Sequence, residues 1–224
     1  MATVEALRAA GNRKRGASPH PYGRREPLVL LVLLVIALVI SGLHPKDRRT
    51  WLLETAPILI GVPILILTYR KFPWTPLSYR LAFGLSLFLI IGGHYHYARV
   101  PVGLWIKQEF GLKRNDYDRV VHFFGGFVPA ILGRELLLRK SRLRNRFWIP
   151  FLVAWSCLAG AAAYELLEWA AASIEGQKAR DFLATQGDRW DTQWDMLTTF
   201  VGAIVGLLTL THLHDRQLAR LHGE

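Results

Sequence analysis

The chain has 224 residues, of which 51% are hydrophobic, and a formal net charge of +11. The apolar residues fall in long blocks with the Lys and Arg residues between them, which is typical of a membrane protein, since a helix needs about 20 mainly apolar residues to cross the hydrocarbon layer. Nucleic-acid binding is excluded as the reason for the positive charge, because the cations lie in short loops beside apolar segments. The single cysteine, Cys157, lies inside an apolar block. Because a chain with one cysteine has no second thiol, an intramolecular disulfide and a cysteine-based zinc site are both excluded.

We therefore predict an all-α integral membrane protein, a bundle of about six transmembrane helices within residues 27–213. Residues 1–26 are rich in Arg, Gly and Pro and are expected to form a flexible basic cytoplasmic tail, with a second short cytoplasmic tail at 214–224. The predicted spans are, in chain order, about 27–43, 52–69, 77–97, 118–138, 147–170 and 193–213.

Individual spans carry further signals. The first follows a basic segment but lacks an Ala-x-Ala cleavage pattern, so we interpret it as a retained signal anchor. The second contains Pro57 and Pro63 and should be kinked, which a bundle tolerates where neighbouring helices satisfy the freed carbonyls. Between the third and fourth spans, the apolar residues and Trp105 of segment 102–110 predict a short amphipathic helix at the membrane interface.

The distribution of Lys and Arg predicts the orientation. If the N-terminus is inside, 17 of these residues fall on the cytoplasmic side and 11 on the outer side. The loop at 139–146 is purely basic in its charges and decides the comparison most clearly. Since cytoplasmic loops carry the excess of positive charge, both termini are expected in the cytoplasm.

Acids and histidines are concentrated at the outer ends of the predicted spans, whereas the inner ends are expected to receive little beyond Arg and Lys. A carboxylate at membrane depth is costly unless it is paired, metal-bound or protonated, so such a group is a candidate functional site. The residues concerned are Glu54, His94, His96, Asp118, His122, Glu165, Glu168, Asp188, Asp191 and Asp195.

Helical spacing places several of these side chains on shared faces. Asp118 and His122 are four residues apart, Glu165 and Glu168 three, and Asp191 and Asp195 four. Histidine and carboxylate ligands on facing helices are the chemistry of zinc, iron or manganese sites in helix bundles. The predicted ligands of a divalent metal are Asp118, His122, Glu165, Glu168, Asp191, Asp195 and His96.

Four residues are candidate catalytic groups. We expect His122 to act as a metal ligand or general base, and Glu165 and Glu168 to act as ligands or proton carriers. Arg119 is expected to hold a phosphate group, with pairing to Asp116 or a lipid phosphate as the alternative.

Structural interpretations of single residues stay open beside the functional ones. Asp188 and Asp191 also suit the N-terminus of the last span, where an acid caps free amides and complements the helix dipole. His94 and His96 are one residue apart and point in different directions, so at most one of them faces the bundle and a hydrated interfacial position is the alternative. Glu54 also suits a solvated position among the lipid head groups.

Three motifs stand out together: RNDYDRVVHF at 114–123, YELLEW at 164–169 and GDRWDTQWDM at 187–196. In these motifs the chain resembles the YjdF family of bacterial inner-membrane proteins, a domain of unknown function, over most of its length from the first or second span onward. The resemblance implies a multi-pass protein of the bacterial cytoplasmic (inner) membrane.

The same pairs of acids and histidine, followed by a Gly-rich segment at 202–206, are also similar to VanZ-like membrane proteins, which are associated with teicoplanin resistance. Thr198 or Thr199 stands where those proteins often carry Asn, so the likeness is partial. It implies a role in the cell envelope.

These observations leave three functions open. The first is a metal-dependent enzyme acting at the outer membrane face on a lipid or a lipid-linked envelope precursor. The alternatives are a proton-linked transporter that uses the same acids as a relay, and a non-catalytic membrane scaffold in which the polar residues lock the helices together. The expected partners are the lipid bilayer and a lipid or lipid-linked substrate, without nucleic acid.

Overall fold

The computed structural model describes residues 22–143, 145, 147–175 and 186–221. Most of the predicted N-terminal tail (1–21), the loop segment 176–185 and residues 222–224 lie outside the described residues. Within the described ranges the regular structure is helical throughout, and six helices are long and apolar enough to cross a membrane. The predicted fold class, an all-α membrane bundle of about six spans, is confirmed.

Six spanning helices follow one another along the chain. They are α1 (Arg25–Leu43), α2 (Arg48–Thr68), α3 (Pro76–Tyr95), α5 (Tyr117–Lys140), α6 (Trp148–Glu175) and α7 (Asp191–Leu221). The amphipathic helix predicted between the third and fourth spans is α4 (Pro101–Glu109), and a 3-10 turn at Tyr97–Arg99 precedes it. The connections between spans alternate between two ends of the bundle, as an up-and-down arrangement requires.

The last helix is longer than predicted. Residues 214–221, expected to belong to a short tail, continue α7 as far as Leu221. His214 is fully buried and Leu218 is 6% exposed, so this segment is amphipathic and packs its inner face against the bundle. Hydropathy alone ends the span early because the outer face of this segment is polar.

The closest helix packing joins α5 and α7. Gly126 lies against the backbone of Thr199, and Gly202 and Gly206 lie against the backbones of Phe123 and Phe127. Small residues allow this approach, which replaces the hydrophobic driving force that helices lack inside a bilayer. Further along, the α6 residue Val153 joins Ala130 and Ala203 in one buried cluster. The α5–α7 pair is thus the rigid centre of the bundle.

Large apolar side chains remain exposed along the outside of the spanning helices. Leu67 is 80% exposed and Leu208 is 79% exposed. An apolar surface of this kind on a six-span bundle is the face that contacts lipid.

Two names are used below for the ends of the bundle. The acidic end is where α1, α3 and α6 end and where α2, α5 and α7 begin; it contains Asp118, Glu165 and Asp195. The basic end is the opposite one, and it contains Arg139 and Lys140.

Candidate functional site at the acidic end

Three helices bring a histidine and three acids together at the acidic end. Asp118 and His122 lie one turn apart at the start of α5, Glu165 lies in the second half of α6, and Asp195 lies one turn into α7. One potential ligand atom each from Asp118, His122 and Asp195 lies within 4.8 Å of the other two. The close α5–α7 contact fixes the distance between two of the three contributing helices.

The imidazole ring of His122 is held from both sides. Its Nε2 atom lies 3.7 Å from Oδ1 of Asp118 and 3.6 Å from Oε1 of Glu165. On the other side, the Thr199 hydroxyl lies 3.4 Å from Nδ1 and donates a hydrogen bond of 3.0 Å to the His122 carbonyl oxygen. Nε2 therefore faces the acids, while Thr199 orients the ring from behind.

In this group, two buried carboxylate oxygens lack a hydrogen-bond partner among the described residues. They are Oε1 of Glu165 and Oδ1 of Asp195, and these two residues are 8% and 3% exposed. A buried acceptor without a partner costs about 1–3 kcal/mol, and more if it carries charge. Both atoms belong to the group around His122, which is therefore suited to hold a cation or shared protons.

The geometry is compatible with a metal ion. Ligand atoms about 2.1 Å from a tetrahedral zinc ion are about 3.4 Å apart. The His122–Asp118 distance of 3.7 Å is close to this value, and one potential ligand atom each of Asp118, His122 and Asp195 lies within 4.8 Å of the other two. The imidazole and carboxylate donors suit zinc, iron or manganese, and the Thr199 contact supplies the second-shell orientation that ligating histidines usually have.

A second polar group extends the site toward α2. Glu54 is 2% exposed, so it is not solvated among head groups. The Tyr164 hydroxyl donates to its Oε2 atom at 3.4 Å, and Tyr97 forms a further hydrogen bond to Glu54. Burial raises the pKa of the Tyr97 phenol, which keeps this donor protonated. Glu168 lies close enough to Glu54 and to Asp118 for their negative charges to repel one another.

Two arginines at or just before the start of α5 form ion pairs with acids at or just before the start of α7. Arg114 is 7% exposed and forms an ion pair with Asp191; despite the opposing effect of burial, this pair raises the pKa of the Arg114 guanidinium. Arg119 donates to Asp188 at 2.6 Å. The backbone N–H of Trp190 also donates to Asp188, at 2.9 Å, and this bond lowers the pKa of that partly buried carboxyl, with Arg119 adding to the effect.

The structure brings only some of the sequence-predicted site residues together. Asp118, His122, Glu165 and Asp195 come together, and Glu168 lies nearby. Asp191 turns to Arg114, and Arg119 pairs with Asp188 rather than with the four central residues.

The two histidines after α3 take separate positions. The Nδ1 atom of His94 lies 2.9 Å from the carbonyl oxygen of Ser41 in α1. His96 lies close enough to Asp47, at the start of α2, to interact electrostatically with its carboxylate. Neither belongs to the three-residue ligand group.

Sequence reasoning missed Arg114 and Tyr97. Arg114 precedes the fifth helix and was counted only as a loop cation, and Tyr97 lies beyond the last turn of α3. No local pattern distinguishes either residue, because their roles depend on partners far away in the chain.

The expectation that the basic end receives little beyond Arg and Lys is wrong. Glu135 of α5 and His214 of α7 are both fully buried there, and His214 Nε2 lies 3.2 Å from Oε2 of Glu135. Arg134 lies 3.1 Å from His214 Nδ1. Because arginine can only donate, Nδ1 accepts and Nε2 carries the proton that is donated to Glu135.

The remaining contacts satisfy Glu135 completely. Ser78 donates at 2.6 Å, the Thr75 hydroxyl at 2.9 Å and Arg139 at 2.7 Å. An acid inside a predicted span was the available signal, but its partner His214 lay just outside the predicted sixth span. With every donor in place, this group links α3, α5 and α7 as a structural connection.

Six spanning helices with lipid-facing apolar surfaces and an internal histidine–carboxylate group define a multi-pass α-helical membrane protein. The chain belongs to the family described as "Predicted membrane protein (DUF2238)", whose model matches residues 26–216. It is 46% identical to the inner membrane protein YjdF of Escherichia coli (strain K12) over 198 residues, which are 87% of this chain and 95% of that protein. No solved structure matches.

These comparisons confirm the resemblance to the YjdF family and place the chain among multi-pass inner-membrane proteins. The likeness to VanZ-like proteins stays a prediction.

Proposed function

We propose that the protein is a metal-dependent enzyme of the cytoplasmic membrane that acts on a lipid or lipid-linked envelope precursor. The observation that carries the proposal is the group formed by Asp118, His122 and Asp195, together with the buried, unpartnered Oε1 atom of Glu165. A purely structural cluster would be expected to satisfy its buried oxygens, as the Glu135 group at the basic end does.

The residues of this group take separate roles. Asp118, His122 and Asp195 would hold a divalent ion, which would supply Lewis-acid polarisation of a substrate oxygen when bound. Glu165 accepts and returns a proton beside His122 Nε2, and Glu168 carries protons between the central group and Glu54. Arg119, in the first turn of α5, would bind a phosphate group of the substrate if its ion pair with Asp188 opened.

The orientation that accompanies this proposal puts the acidic end at the outer membrane face and both chain termini in the cytoplasm. The excess of Lys and Arg at the basic end, 17 against 11, supports it. The site would then meet substrates from the outer leaflet.

Metal content tests the proposal. We expect close to one divalent ion per chain in gently purified wild-type protein, measured by mass spectrometry, and at least a tenfold loss in His122→Ala and in Asp195→Asn. His94→Ala is the matched control, because this histidine lies at the same end but bonds to Ser41. Each variant is compared by thermal unfolding, so that loss of metal is separated from loss of fold.

Metal-free wild-type protein with unchanged variants would contradict the enzyme proposal. Uptake of a solute into proteoliposomes, abolished by Glu165→Gln, would then favour a proton-linked carrier. Variants that lose stability alone would favour a scaffold.

A further inference from the structure

A deep groove leads from the acidic-end site into the membrane-spanning region. Its volume is about 520 Å³, within the range of about 300–1,000 Å³ that is typical of ligand sites. One end is formed by His122, Tyr97, Tyr164 and Thr199; the rest of the lining comes from mainly apolar residues of α2, α3, α5 and α6.

The groove runs along α5 from His122 to Leu137. At 1.5 Å per residue this is about 22 Å, more than one leaflet's share of a hydrocarbon core about 30 Å thick. Along this length the lining includes Leu136 of α5 and Gly160 of α6. Leu136 is 44% exposed and Gly160 is also exposed, so the groove opens sideways to the bilayer. At this depth the opening faces the hydrocarbon chains of the lipids.

Glycines that no helix contact requires form part of its walls. A Cβ atom at Gly125 or Gly160 would meet nothing within 4 Å, and one at Gly133 would meet only Val153, at 3.8 Å and beyond. Gly126, the neighbour of Gly125, instead lies directly against α7. Glycine in a helix interior costs about 1 kcal/mol relative to alanine. These three positions therefore keep space open without improving the packing.

We propose that this groove binds one acyl chain of a membrane phospholipid, with the polar head group placed at His122 and Tyr164. The apolar walls exclude a hydrophilic solute from most of the groove, whereas the hydroxyl and imidazole groups at its polar end suit the polar ester region of a lipid. The inference deepens the proposed function and rests on it for the fate of the head group, but chain binding is measurable without any activity.

A second apolar groove provides the internal comparison. It lies between α1, α2, α3 and α5, has a volume of about 620 Å³ and is lined by Gly61, Leu31 and Phe83 among others. The residues of the acidic-end site do not line it. A bulky residue at Gly61, where a Cβ atom would also meet nothing, fills this groove and leaves the proposed one open.

The experiment uses full-length protein in nanodiscs containing a phospholipid with a photoreactive diazirine midway along one acyl chain. After irradiation, we expect cross-links concentrated at residues that line the groove, such as Leu136 and Ser156, when peptides are mapped by mass spectrometry. Gly160→Leu and Gly125→Leu should each reduce these cross-links at least fivefold, and Gly61→Leu should leave them unchanged. Two filling variants on different helices make the result independent of how well either one folds.

Cross-links spread evenly over the lipid-facing surface, insensitive to both filling variants, would overturn the proposal and indicate annular lipid alone. Displacement by an unlabelled prenyl phosphate at far lower concentration than by phospholipid would overturn the choice of an acyl chain. The metal measurement separates the two proposals. Groove cross-links in a protein that binds no metal would support the lipid site and contradict the enzyme. Bound metal without groove cross-links would support the enzyme and contradict the lipid site.

Discussion

Gly202 of α7 lies directly against the carbonyl group of Phe123 in α5, and a Cβ atom at position 202 would overlap the Phe123 oxygen. His122, the residue before Phe123, and Asp118, one turn earlier in α5, face Asp195 of α7 across the same helix pair. The backbone contact and the candidate site therefore depend on one interhelical distance.

Gly202→Ala is expected to destabilise the protein, because backbone atoms cannot move aside as a side chain can. Overpacking of this kind costs about 1–3 kcal/mol, which should appear as a lower midpoint of thermal unfolding in detergent. Gly84→Ala is the control, since a Cβ atom there meets nothing within 4 Å. An unchanged midpoint for Gly202→Ala would show that the helices separate without cost.

The Glu135 group at the basic end should be needed for stability. Glu135→Ala leaves the buried His214 and the partly buried Arg139 without their common partner, and removing one member of a buried ionic pair costs about 3–5 kcal/mol. We expect a large loss of the free energy of unfolding, measured by denaturant titration in mixed micelles. Glu109→Ala, which removes an exposed acid of α4, should have little effect. Equal stability of both variants would refute the structural role.

The N-terminus of α2 predicts a pH dependence. Asp47 accepts a 2.8 Å hydrogen bond from the Thr50 N–H, and this bond lowers the pKa of the carboxyl from 3.8. A lowered folded-state pKa stabilises the fold above the unfolded pKa of about 3.9, and this contribution is lost as the pH falls through the folded-state pKa.

Asp47→Ala should therefore cost about 1 kcal/mol at pH 6 through loss of the cap. Asp47→Asn should remain close to wild type at pH 6 and lose less stability than wild type between pH 4 and pH 2.5. Thermal unfolding at pH 6, pH 4 and pH 2.5 measures these differences. Parallel acid profiles for wild type and Asp47→Asn would show that the carboxylate contributes nothing.

The proposed orientation predicts which cysteines react from outside. In a Cys157→Ala background, Glu109→Cys at the acidic end should be labelled by a membrane-impermeant maleimide in intact spheroplasts. Arg142→Cys at the basic end should be labelled only after lysis, because its thiol would face the cytoplasm. The reverse pattern would invert the bundle and place the candidate site at the cytoplasmic face.

The sequence alone determined the six spans, since each contains enough consecutive apolar residues to require a bilayer. It also predicted that His122, Asp118, Glu165 and Asp195 lie at one membrane face, because successive helix ends alternate between the two faces. Spacing along one helix placed Asp118 beside His122.

Only the tertiary structure decided which polar groups meet across helices. Arg114 rather than Arg119 pairs with Asp191, and Glu135 finds His214, a residue 79 positions away. Likewise, Gly126 packs against α7 while its neighbour Gly125 faces an open groove. These outcomes depend on how each helix is rotated about its axis. Hydropathy leaves that rotation undetermined, because lipid and the interior of the bundle are equally apolar surroundings. Close backbone packing between helices sets the rotation instead.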